Sequence, residues 1–255
     1  MDAPQPTYAH LPLLVNEQRK KLSKRRDDVS IADYRDRGYL PEAMVNYLSL
    51  LGWGPPDDIE VRPLEEIVQL FAIEDVNKAA AFFDLKKLEF VNATHLRELK
   101  KNDFVERAKP WVEDKAAPWP PDKFDEGRYL TMVDLVQEKL RTLSDLPRFI
   151  DFIFLDEPVD DPDSWHKAMV KAPFASEILE GTFTALTDCT WETEAIKEVV
   201  TKVGENLGIK LGKTQAPVRV AVTGRTVGPP LFETMALCMD REEVLNRISR
   251  ARSRL

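Results

Sequence analysis

Apolar positions recur every three or four residues along most of this chain, the period of helices that bury one face. Leu40-Pro41-Glu42 opens one such stretch, with Pro41 at a first helical position and Ala43, Met44, Tyr47, Leu48 and Leu51 inward, ending at Gly52. Leu64, Ile67, Val68 and Phe71 predict a second helix, Glu74 to Phe83 a third, and Asp84 to Phe90 the start of a fourth. Asn92 reads as the cap of a helix through His95, Leu96 and Leu99. The pattern returns in Leu130, Val133, Val136 and Leu140, and again in Ala195, Ile196, Val199, Val200, Val203 and Leu207, where Gly208 is the stop. Val244, Leu245, Ile248 and Ala251 form the last stripe, entered through an Asp240-x-x-Glu243 capping box. Phe149–Phe154 is a short apolar helix or turn. Two stretches depart from this period. Leu11-Pro12-Leu13-Leu14-Val15 reads as a short buried strand, and Val218 to Gly224 alternates, as a strand or an extended entry to a helix.

The fold class this predicts is mainly α. Ten glycines against 18 prolines fit helices punctuated by proline better than glycine-rich hairpins. Polar residues near 100 and the proline-rich Glu157–Pro162 stretch divide the chain into blocks of 1–100, 101–162 and 163–255. No fixed-period repeat is present.

Composition narrows the class further. The chain has 255 residues, 43% hydrophobic and 31% charged, which suffices for packed cores. No apolar run approaches the ~20 residues of a membrane span. Two cysteines without a CxxC pattern read as reduced thiols of a cytoplasmic protein. His10, His95 and His166 are isolated, with no metal-ligand spacing, so no metal site is expected. A net charge of −8 argues against nonspecific coating of nucleic acid but leaves room for local basic faces.

One such face stands out. Arg19-Lys20-Lys21-Leu22-Ser23-Lys24-Arg25-Arg26 carries six cationic side chains in eight residues. It is either a solvated basic turn or a holder of an anionic group, most plausibly a polyphosphate, to which lysine brings a mobile charge and serine a hydroxyl.

Its setting favours the second reading. Lys21-Leu22-Ser23-Lys24-Arg25 resembles the lysine-serine-lysine signature loop of class I aminoacyl-tRNA synthetases. His10-Leu11-Pro12-Leu13 before it, Gly38-Tyr39-Leu40-Pro41-Glu42-Ala43 and Leu51-Gly52-Trp53 after it, and Phe83 to Leu88 beyond are similar to the bacterial type of glutamyl-tRNA synthetase. So are Pro217-Val218-Arg219-Val220-Ala221-Val222-Thr223-Gly224 and Gly228-Pro229-Pro230-Leu231-Phe232. The resemblance runs from about residue 8 to the C-terminus. Nothing matches the family's nucleotide-binding domain with its histidine-glycine-histidine signature, so a C-terminal segment is expected.

The resemblance implies a ligase that activates glutamate with ATP and Mg2+ and attaches it to tRNA(Glu). Lys24 is then the ATP-contacting lysine, with Lys21 and Ser23 supporting it. A small stem-contact region is implied for residues 1–100, and two all-helical anticodon-binding subdomains for 101–162 and 163–255. The isolated chain is expected to be a monomer, to hold no cofactor and not to catalyse adenylation. Arg219, Arg225, Arg247 and Arg250 are candidates for a phosphate-facing surface, with Arg252 and Arg254 beside them; a solvated face explains each as well. A competing class is a non-enzymatic helical scaffold that binds a protein partner.

Overall fold

The computed structural model describes residues 8–23, 30–113 and 117–255. They divide into two compact units, one holding residues up to Lys100 together with Leu140–Ser144, the other Lys101–Lys139 and Asp145–Leu255.

The first unit is built on a strand pair. β1 (Leu14–Val15) runs parallel to β2 (Ala81–Phe82), with Leu14 opposite Ala81. The short strand expected at Leu11–Val15 is therefore present, and its partner lies where a helix was expected. Instead of a helix from Glu74 to Phe83 there is a single tight turn, Ile73–Asp75, followed by β2. The ladder overrides the local pattern: the amides of Ala81 and Phe83 donate to Leu13 and Val15 carbonyls at 2.9 Å, and that of Asn77 to the Gly52 carbonyl at 2.7 Å.

Around the pair lie α1 (Ile31–Asp36), α2 (Pro41–Ser49), α3 (Leu64–Leu70) and α4 (Leu85–Glu98). Asp84 caps α4 by accepting from the amides of Lys86 and Lys87. Asn92 is not a cap. It is wholly buried inside α4, where its amide accepts from the Leu40 N–H at 2.8 Å and donates to the Arg141 carbonyl. One side chain thus ties the start of α2 and the 140–144 segment to the middle of α4. His95 is buried one turn further along. Its Nε2 lies 3.0 Å from Asn46 Oδ1, which also accepts from the Arg62 amide, so Nε2 is the donor.

The second unit is helical throughout its described residues. It comprises α5 (Lys101–Val112), α6 (Glu126–Val136), α7 (Leu146–Phe154), α8 (Pro162–Trp165), α9 (Ala175–Thr187), α10 (Thr193–Asn206), α11 (Leu211–Thr223), α12 (Leu231–Cys238) and α13 (Arg241–Arg252). The alternating Val218–Val222 stretch is the second half of α11. Its residues are buried on every side because α9, α10 and α13 all pack on it, and burial all round erases the period that marks a one-sided helix. The capping box expected at Asp240 does not close. Asp240 and Glu243 lie toward Arg128, and Glu243 also pairs with Arg247 at 2.8 Å.

Candidate functional site

The basic loop begins as a tight reversal after β1. The Asn16 side-chain oxygen accepts from the backbone amides of Gln18 and Lys20 at 3.1 Å each, and the Asn16 backbone N–H donates to the Lys20 carbonyl at 2.9 Å. Arg19 takes a left-handed conformation at φ 56°, which closes the turn. The chain then comes back beside β1: Lys21 bridges antiparallel to Val15, and the Leu22 amide donates to the Leu14 carbonyl at 3.1 Å. Backbone hydrogen bonds therefore set where Lys21 and Ser23 leave the core. Lys21 is exposed and Ser23 half-buried. Lys24, Arg25 and Arg26 lie outside the described residues. Beside the turn is a cleft of about 600 Å³, lined by Asn16, Arg19, Phe82 and Lys86 among others. Asn16 was missed by sequence reasoning; an Asn opening a polar run after a strand is the pattern of an Asx turn, and would have found it.

In the second unit the candidate arginines do not share one face. Arg247 is buried at 4% exposure; its terminal nitrogens donate to the carbonyls of Val222, Phe152 and Leu155 and to Glu243. Burial holds its pKa below the usual guanidinium value, against the pull of Glu243. Such a guanidinium joins α7, α11 and α13 and faces no phosphate. Arg225 forms a bidentate pair with Asp151, at 2.7 and 2.5 Å, and also donates to the Arg148 carbonyl at 2.5 Å. The hydrogen bond it donates to Asp151 is the main cause raising its pKa. Asp151 was also missed, though a lone carboxylate in the apolar Phe149–Phe154 run signals a buried partner.

Arg219 is half-buried and donates to the Pro229 carbonyl at 2.6 Å, bracing the loop before α12; burial lowers its pKa, with Glu233 opposing. Arg250 is exposed and pairs with Glu157. Arg252 pairs with Glu180, and Arg254 pairs with Asp160 at 2.6 Å while lying 3.7 Å from the Trp165 ring centroid. Carboxylates thus pair with the last turn of α13 and the residues just after it.

Other chemistries find little footing. Among the described residues no three His, Cys, Asp or Glu side chains group as metal ligands, and no helix is long and apolar enough to cross a membrane. Burial pushes the Cys238 thiol up to about 11 and raises that of Cys189, so neither is an activated nucleophile.

Comparison with known proteins adds the family. Residues 103–252 match the model of an anticodon binding domain, and residues 1–90 match that of the class I (E and Q) tRNA synthetase catalytic domain. The glutamate–tRNA ligase of Thermobifida fusca is 49% identical over 252 residues, covering 98% of this chain and 52% of that protein. That of Frankia casuarinae is 49% identical over 255 residues, covering 100% and 53%. Among solved structures, the glutamate tRNA ligase of Elizabethkingia meningosepticum, in complex with its amino acid, superposes with a TM-score of 0.76 at 26% identity, covering 98% of this chain and 52% of that one. The chain spans about half the length of the curated relatives it matches.

Proposed function

We propose, from the premise that this chain belongs to the glutamate–tRNA ligase family and carries its anticodon-binding domain, that it is the tRNA-gripping half of a ligase that joins glutamate to tRNA(Glu). The observation that carries this reading is the order of two matches: a class I catalytic domain over residues 1–90, then an anticodon binding domain over 103–252.

In this reading the basic loop closes on ATP, which enters as a substrate with its own Mg2+. Lys21, Ser23 and Lys24 serve the departing pyrophosphate. Charge that develops on phosphate oxygens is best met by ammonium groups and N–H donors already in place. The Asn16-locked reversal supports this role, because it projects the loop from a fixed base rather than from a floppy tail. The second unit binds the anticodon arm, and 1–100, 101–162 and 163–255 act as stem-contact region and two anticodon subdomains. A cytoplasmic location and a monomeric state go with this assignment, and the chain by itself does not form the adenylate.

The test is twofold. Titration with tRNA(Glu) and with an unrelated tRNA should show preference for the first and affinity that falls with salt. ATP–pyrophosphate exchange with glutamate and tRNA(Glu) should show no turnover by the 255-residue chain. Equal binding of both tRNAs would remove the specific reading, and appreciable exchange would overturn the division of labour.

A further inference from the structure

The second unit contains a cleft of about 790 Å³ that none of the candidate arginines lines. Its floor is apolar, with Ala168, Ile178 and Leu207. Three lysines line it from separate places: Lys167 from the wide helical turn His166–Val170, Lys210 from the entry to α11, and Lys213 from the first turn of α11. No Asp or Glu lines it, in a chain of net charge −8.

The three lysines differ from five others in the same unit, although among the described residues Lys139 and Lys171 also lack a carboxylate partner. Lys101, Lys109, Lys123, Lys197 and Lys202 each pair with a carboxylate. Among the described residues, no carboxylate pairs with Lys167, Lys210 or Lys213, and all three are exposed. Phe174 completes the cleft. It is 46% exposed and held at φ 65°, where a non-glycine side chain is rare. Gly212 lines the same wall, and a methyl group there would meet open space, so packing does not demand a glycine. An exposed aromatic ring over an apolar floor, edged by unpaired ammonium groups, is the chemistry that binds a base and its flanking phosphates.

We propose that this cleft receives one unstacked nucleotide of single-stranded RNA, with its base against Phe174 and its phosphates among Lys167, Lys210 and Lys213. The proposal rests on the tRNA-binding reading above and extends it to residues outside the arginine set. An acidic peptide would use the lysines but leave the ring without a stacking partner.

The test is titration of tRNA(Glu) into this chain between 50 and 200 mM salt, with the variants K210A/K213A and F174G, and thermal melts run alongside. Glycine suits the left-handed backbone at 174, so the fold of F174G should hold. The expected result is about tenfold weaker binding by F174G with an unchanged salt slope. K210A/K213A should bind more weakly, with the slope of log affinity against log salt reduced by about 1–2. If the unaltered chain binds tRNA and both variants bind equally well, the cleft assignment is overturned while the tRNA reading stands. If the unaltered chain binds no tRNA, the tRNA reading fails first and takes the cleft with it. A polyglutamate peptide that displaces tRNA as well as a short single-stranded RNA does would also overturn the assignment.

Discussion

Arg225 and Asp151 meet as a fork on a fork, two parallel hydrogen bonds of 2.7 and 2.5 Å between side chains that are 12% and 5% exposed. The pair fastens the loop after α11 to α7. Removing one partner leaves the other buried and unpaired, which costs more than the pair contributes. Asp151→Asn is expected to destabilise the second unit by about 3 kcal/mol, read as a lower denaturation midpoint with unchanged m-value.

Arg247 and Arg250 lie three residues apart on α13 and should behave oppositely. Arg247→Ala strands three backbone carbonyls and Glu243, for an expected loss of about 3–5 kcal/mol. Arg250→Ala removes only an exposed pair and should change stability by less than about 0.5 kcal/mol. Melting both variants side by side checks the contrast.

The glycine that ends α11 is required by space as well as by conformation. Gly224 sits at φ 76°, and a methyl group there would come within 2.3 Å of the Val159 carbonyl oxygen. Gly208 has φ 70° but faces open space. Gly224→Ala should therefore cost about 3 kcal/mol or more, and Gly208→Ala only the ~1 kcal/mol of the left-handed conformation. Equal losses in denaturant titrations would count against this account.

His95 supplies a pH dependence. Burial lowers its pKa below the ordinary 6.5, with Glu98 and Glu42 opposing. The unfolded chain then takes up a proton that the folded unit resists. Stability contributed by neutral His95 is complete above about pH 6.5 and falls as pH drops below it, by at most ~1.4 kcal/mol per unit. Protection factors of the α4 amides, corrected for the intrinsic pH dependence of exchange, should fall between pH 6.5 and 5.5, and His95→Gln should flatten that slope.

The loop prediction belongs to the full-length ligase. Lys24→Ala should lower the adenylation rate about 10²–10³-fold, the scale of one transition-state electrostatic contact, and leave tRNA affinity nearly unchanged. Asn16→Ala should slow the same step by loosening the base of the loop, with ATP–pyrophosphate exchange as the readout for both.

Helices with one buried stripe were legible in the sequence: α2, α10 and α13 appear where their apolar positions recur. α3 forms where it was expected, but of its apolar positions only Ile67 is buried, while Leu64, Val68 and Phe71 stay exposed. Gly52 and Gly208 end their segments with positive φ, as stops should. What was hidden depends on partners distant in sequence. β2 exists because β1 offers carbonyls some 65 residues away. Asn92 looked like a cap because its two backbone partners, at Leu40 and Arg141, lie about 50 residues to either side. The arginines illustrate the same limit at the candidate site. Sequence spacing could not separate Arg247, spent on carbonyls, from Arg250 at the surface. Nor could it gather Lys167, Phe174 and Lys213 into one cleft. The basic run itself was legible because its charge is local, carried by neighbouring residues.

The central claim is that this half of the ligase reads the anticodon of its tRNA. The most direct measurement is the affinity of the chain for tRNA(Glu) and for the same tRNA with its anticodon replaced, at one fixed salt concentration. The account predicts binding at least about tenfold weaker for the altered tRNA, as expected when one or more base contacts are lost. Equal affinity for the two would contradict it.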